Sequence, residues 1–177
     1  MKSKSEKFRK MLEEHKINCF NEEPVKDELN TVLFRSVMEI EGQRLPLVVV
    51  IDDSIYVICR VLVAGKCLTD KNQADVGRFI NKLNGNYKTF KFYTTDAGEI
   101  IMDTCLPTTA EQFEPDMVRA LIDLAVKCLE ENYRPLMQIV WGETKGNAEA
   151  KSNAKAKDNS ETKSNAKAKG NDESAAS

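Results

Sequence analysis

Three apolar segments between positions 31 and 63 are joined by connections too short to cross a sheet. Segment 31–41 alternates apolar and polar residues through Val32, Phe34, Met38 and Ile40. Segment 45–52 is nearly all apolar and reads as a strand buried on both faces. Segment 55–63 is rich in β-branched residues and carries Tyr56. Glu41-Gly42-Gln43 and Asp52-Asp53-Ser54 read as the turns between them. Parallel strands need crossovers of about a dozen residues or more, so these three must form an antiparallel meander.

The surroundings of the meander are helical and then extended. Residues 5–16 predict a helix with Phe8, Met11, Leu12 and His15 on one stripe. Residues 21–28 hold Pro24 and several charges and read as a loop. After the meander, Asp70 and Gln73 have capping-box spacing. Val76, Phe79, Ile80 and Leu83 form the stripe of the helix they would start, and Gly85 is placed to end it. Segments 89–94 and 99–106 read as a hairpin around Thr95-Asp96-Ala97-Gly98, with Pro107 as a stop. Pro115 suits the first turn of a last helix carrying Val118, Leu121, Ile122, Ala125, Cys128 and Leu129. Pro135 is expected to break or restart that helix, and Gly142 to close the fold. The expected architecture is α+β, in the order α-β-β-β-α-β-β-α, a five-stranded, mainly antiparallel sheet packed with helices.

Composition divides the chain in two. From Thr144 to Ser177 there is no Val, Ile, Leu, Met or aromatic residue. Lys151 begins a direct repeat of period twelve, KSNAKAKDNSET followed by KSNAKAKGNDES. Such a unit has no apolar face to stack, which excludes a solenoid. It cannot bury enough surface to offset chain entropy, so residues 143–177 are expected to be a disordered, low-complexity tail. Residues 1–142 are expected to be the folded domain.

Charge and cysteine usage limit the function classes. Net charge is −2. Seven lysines against five acids give the segment from Thr144 a charge of +2, leaving −4 on the body. A mildly acidic body carries no electrostatic footprint for nucleic acid. The first residues are charged throughout, without an apolar stretch of signal-peptide length. The longest apolar run is too short to span a bilayer. Five cysteines, none spaced CxxC, fit reduced thiols better than a disulfide framework. A cytoplasmic location is therefore expected, without membrane or nucleic-acid partners. Cys67 is expected to be the most exposed cysteine, and Lys66 beside it would favour its thiolate.

No catalytic constellation stands out, and neither catalysis nor a cofactor or metal is expected. His15 is the single histidine and reads as a packing residue or a helix-end cation. Asp52, Asp53, Asp96, Glu99 and Asp103 could form a carboxylate cluster, but Asp in predicted turns has its own hydrogen bonds to make. No glycine-rich phosphate loop occurs. The sheet carries the best clue. With Phe34, Ser36, Met38 and Ile40 toward the helices, Leu33, Arg35, Val37 and Glu39 face outward. Tyr56, Ile58, Arg60 and Leu62 share one face of the third strand. The expected partner-binding residues are Leu33, Arg35, Val37, Tyr56, Ile58 and Arg60, on a face too apolar for plain solvent. The alternative is that another part of the chain covers them.

The folded part resembles the YbjN-like family, whose fold is similar to that of type III secretion chaperones. The resemblance rests on the joint order of several short segments. These are VVVIDD at Val48, INKLN at Ile80, FKF at Phe90 with DAGEI at Asp96, and YRPL at Tyr133 with VWG at Val140. It covers ~115 residues, and the tail lies outside it. The resemblance implies a type III secretion chaperone-like α/β sandwich, often dimeric, with a binding or regulatory role. A homodimer and a protein or peptide partner are thus the expected partners. A small-molecule or enzymatic domain with a pocket between sheet and helices is the alternative.

Overall fold

Hydrophobic alternation along the strands builds a sheet whose inner face is covered by every helix of the described region. The structure, a computed structural model, describes residues 3–142. The elements are α1 (Lys4–Glu14), β1 (Asn21–Pro24), β2 (Val32–Ile40), β3 (Gln43–Ile51), β4 (Tyr56–Ala64), α2 (Gln73–Asn86), β5 (Lys91–Thr94), β6 (Ile100–Pro107) and α3 (Pro115–Trp141). The six strands lie in the order β1-β2-β3-β4-β6-β5, and every neighbouring pair is antiparallel. The α+β class and the antiparallel meander agree with the sequence. The expected tail falls outside the described residues.

The sixth strand corrects the expectation of five. β1 reads Asn-Glu-Glu-Pro, is exposed along its whole length, and has no β-forming residue. Its neighbours make it a strand. Arg9 Nε donates to Glu22 Oε2 at 2.9 Å, and Arg35 Nε donates to Glu23 Oε2 at 2.6 Å. Val25 N–H continues the pairing onto Thr31 C=O at 2.8 Å. These are tertiary contacts, invisible to local pattern.

β3 is also corrected. It buries Leu45, Leu47, Val49 and Ile51 on one face only, while Val48 and Val50 are half-buried on the other. The β2–β3 hairpin turns through Glu41 and Gly42 at φ 50° and 73°, the left-handed pair that suits the strand twist. Pro46 is accommodated because the β3–β4 register stops at Leu47↔Val61, so no ladder bond needs its missing N–H.

The helices differ from expectation at their ends. Ser3 and Glu6 form a capping box at the start of α1. Asp70 does not cap α2; the position belongs to Asn72, whose amide is turned inward. Gly85 lies within α2, which continues to Asn86 before Tyr87 becomes extended. α3 begins at Pro115 as expected but runs unbroken through Pro135. Pro135 and Glu131 are both exposed, so the carbonyl freed by the missing N–H faces water.

Two packed clusters fill the inner side. Phe8, Met11 and Leu12 of α1 pack on Val32, Phe34, Val49, Ile51 and Val57, with Phe8 edge-on to Phe34 at 4.9 Å. α2 and the C-terminal half of α3 pack on Met38, Leu47, Val61, Ile100 and Met102. α3 joins both clusters, Val118 to the first and Ala125, Leu129 and Leu136 to the second.

Asn72 locks α2 to the end of α3. It is buried, accepts from Thr69 N–H at 2.8 Å, and donates to the carbonyls of Cys67 and Val140, both at 3.0 Å. Asn72→Ala would leave these three groups without their partner. Stability should fall by about 2–3 kcal/mol, read as a lower urea midpoint with unchanged m-value.

Candidate outer-face binding site

The opposite face of the sheet carries no helix in the described region. Its residues fall in rows fixed by register. One row runs Glu23, Leu33, Val50, Ile58 and Cys105. The next runs Asn21, Arg35, Val48, Arg60, Asp103 and Lys91. A third holds Val37 beside Pro46, and Leu62 beside Ile101 and Tyr93. At the other end, Tyr56 lies beside Pro107. The exposed Val25, Leu29 and Ile55 belong to the same end, where Asp53 N–H bonds Leu29 C=O at 2.9 Å.

All six residues expected on this face are there. Leu33 and Ile58 share a row, and so do Arg35 and Arg60. Val37 and Tyr56 mark opposite corners, 45% and 47% exposed. β2 and β4 are not neighbours, since β3 lies between them and supplies Val48 and Val50. Those two valines escape a sequence reading that buries β3 on both faces. Asp103 and Cys105 could have been found from the alternation of β6 with buried Met102 and Thr104.

The charges within the face are largely paired. Arg60 makes two parallel bonds to Asp103, both 2.8 Å, and Tyr93 OH donates to the same carboxylate at 3.1 Å. The bidentate bond to Asp103 raises the Arg60 pKa. Tyr93 is also raised, first by burial and then by the Asp103 charge. Arg35 is held by Glu23. An apolar surface whose charges are satisfied in place can be covered without leaving a buried ion unpaired.

The other candidates resolve into structural roles. Asp52 accepts from Ser54 N–H at 2.9 Å within its turn, and Asp53 accepts from Asn30 at 2.7 Å. Asp96 and Glu99 belong to the β5–β6 hairpin, where Thr95 Oγ1 bonds Glu99 at 3.1 Å. The five acids therefore sit in three separate places. Among the described residues, no group of three His, Cys, Asp or Glu side chains could hold a metal ion. His15 ends α1, exposed, with Nε2 at 3.4 Å from Asp116 and Nδ1 at 3.3 Å from Arg119. It is a helix-end contact, not a core residue.

Cys67 is buried, contrary to expectation. Its N–H and that of Leu68 both bond Gly98 C=O, drawing the segment after β4 inward. Burial raises its thiol pKa, the reverse of activation. Cys59 and Cys128 are pushed up to about 12 and about 11 by the same desolvation. Cys19 and Cys105 are the exposed thiols. Between α1, β2 and α3 lies an apolar cavity of ≈ 330 Å³, with Glu39, Arg119 and Asp123 among its lining. No described helix is long and apolar enough to cross a membrane.

No family model matches the chain, and no curated protein matches it.

Titration with a disulfide reagent at neutral pH should modify Cys19 quickly in the native chain, Cys105 as far as the outer face is uncovered, and Cys59, Cys67 and Cys128 only after denaturation. Cys105 should react more slowly than an unperturbed thiol, because burial and then Asp103 raise its pKa. Mass mapping of the modified peptides checks the assignment.

Proposed function

We propose that the chain is a non-enzymatic protein-binding module of the YbjN-like kind, cytoplasmic, chaperone-like or regulatory, that works as a homodimer joined through the outer sheet face. The observation that carries this reading is the row structure of that face. Leu33, Val50, Ile58 and Cys105 form an apolar band, flanked by ion pairs already closed within the chain. A two-fold contact buries the same patch on both copies, so an unpaired charge near the axis would meet its own image. Here the central charges are neutralised before contact.

Dimensions support the same occupant. Four strands of up to nine residues, about 4.8 Å apart, present a face about 20 Å by 30 Å. That is of the order of the ~800 Å² per partner in a standard interface. Face-to-face sheets pack about 10 Å apart with interdigitated side chains, which Tyr56, Ile58 and Leu62 can supply. The family resemblance and the free thiols agree with this reading.

Size exclusion with light scattering tests it. The expected mass is twice the 19.9 kDa of one chain. Ile58→Lys places an unpaired charge in the apolar band and should convert the dimer to a folded monomer, weakening association by at least about 100-fold. A wild-type monomer at high micromolar concentration would sink the dimer. Survival of the dimer in Ile58→Lys and Val50→Lys would place its interface elsewhere.

A further inference from the structure

A second surface is built differently and points to a different partner. β2 is nine residues long, but β1 pairs only with Val32 to Arg35. The Val25–Thr31 bond sets the phase of this ladder, so Leu33 and Arg35 direct their backbone groups toward β1. By the same alternation Val37 and Glu39 direct theirs past the end of β1. Among the described residues, no backbone hydrogen bond joins either of them to segment 16–20, whose Ile17, Cys19 and Phe20 line the same cavity. Two N–H and two C=O groups are thus left in line on a sheet edge.

The outermost strands are protected. At β5 the side chain of Asn84 imitates a neighbouring strand, accepting from Phe92 N–H at 2.7 Å and donating to Phe92 C=O at 2.9 Å. β1 is short and ends in proline. The free half of β2 has no such device, and the apolar cavity opens beside it, lined by Met38, Leu12, Ile122 and Val126.

We propose that this half-edge takes up an extended peptide segment of another protein by strand addition, with one large apolar side chain in the cavity and a Lys or Arg opposite Glu39. Neighbouring residues on adjacent strands point the same way. A residue opposite Met38 therefore points inward to the cavity, and residues opposite Val37 and Glu39 point outward. A cavity of about 150 Å³ holds benzene, so ≈ 330 Å³ accepts a Phe or Leu side chain. Glu39, exposed on the outer side of the free edge, favours a basic residue opposite it. The chain's own residues from Thr144 onward contain no large apolar side chain and cannot fill the cavity.

The test is an amide NMR titration of the full chain with acetyl-Thr-Lys-Phe-Lys-Thr-amide. Signals of Val37 and Glu39 should shift and their solvent exchange should slow, with side-chain shifts at Ile122 and Val126. Replacing Phe by Asp in the probe should weaken binding by about 30-fold or more. Glu39→Lys lies on an exposed position and should weaken the basic probe by about fivefold, while improving binding of the Glu-Phe-Glu counterpart. Val37→Pro removes only an N–H that no ladder uses and should abolish the shifts, leaving the other strand amides in place. The proposal falls if the probe leaves Val37 and Glu39 unmoved, or if the Phe and Asp probes bind equally. Mass measurements on Ile58→Lys report on the outer face independently.

Discussion

The packing of α3 along the inner face sets the character of both sides of the sheet. At 27 residues it is about 40 Å long, enough to reach from the α1 cluster to the α2 cluster. A break at Pro135 would have split that contact. The helix survives because Pro135 lies on its wet side while Leu136 and Val140 stay buried. Asn72 then ties the Val140 carbonyl to the start of α2, so one helix end secures the other.

With all three helices of the described region on the inner face, no other described element covers the outer face. Its valines, leucines and isoleucines pack beside one another, and Arg60, Asp103 and Tyr93 form a closed polar group among them. Exposed sheets usually alternate apolar inside with polar outside. This one carries Leu33, Val50, Ile58 and Leu62 on the side without helices as well. Arg60 with Asp103 and Arg35 with Glu23 form pairs that survive desolvation better than isolated ions.

Much of this was legible in the residues. Alternation in β2 and β4 assigned Leu33, Arg35, Val37, Tyr56, Ile58 and Arg60 to one face, because side-chain period two is a local property. β3 was misread because half-buried valines and core valines look alike in a sequence. β1 was missed because its strand state comes from Arg9 and Arg35 and not from its own propensity. Cys67 was misplaced because its burial depends on Gly98, thirty-one positions away. The free half of β2 was not legible at all, and the cavity only as the general alternative of a pocket between sheet and helices. They arise from a mismatch in strand length, which appears only when register is known.

The two surfaces are compatible in one molecule. The outer face looks away from the helices, whereas the free groups of Val37 and Glu39 lie in the plane of the sheet and the cavity lies between β2, α1 and α3. A second copy packed face to face would leave both half-edges of the dimer accessible. Val37 is the exception, since its side chain belongs to the outer face and its backbone to the edge. A peptide strand added there would extend the outer face by one row and widen the surface available to the second copy. Binding at the edge would then strengthen the dimer, and by reciprocity the dimer would bind the peptide more tightly than the monomer.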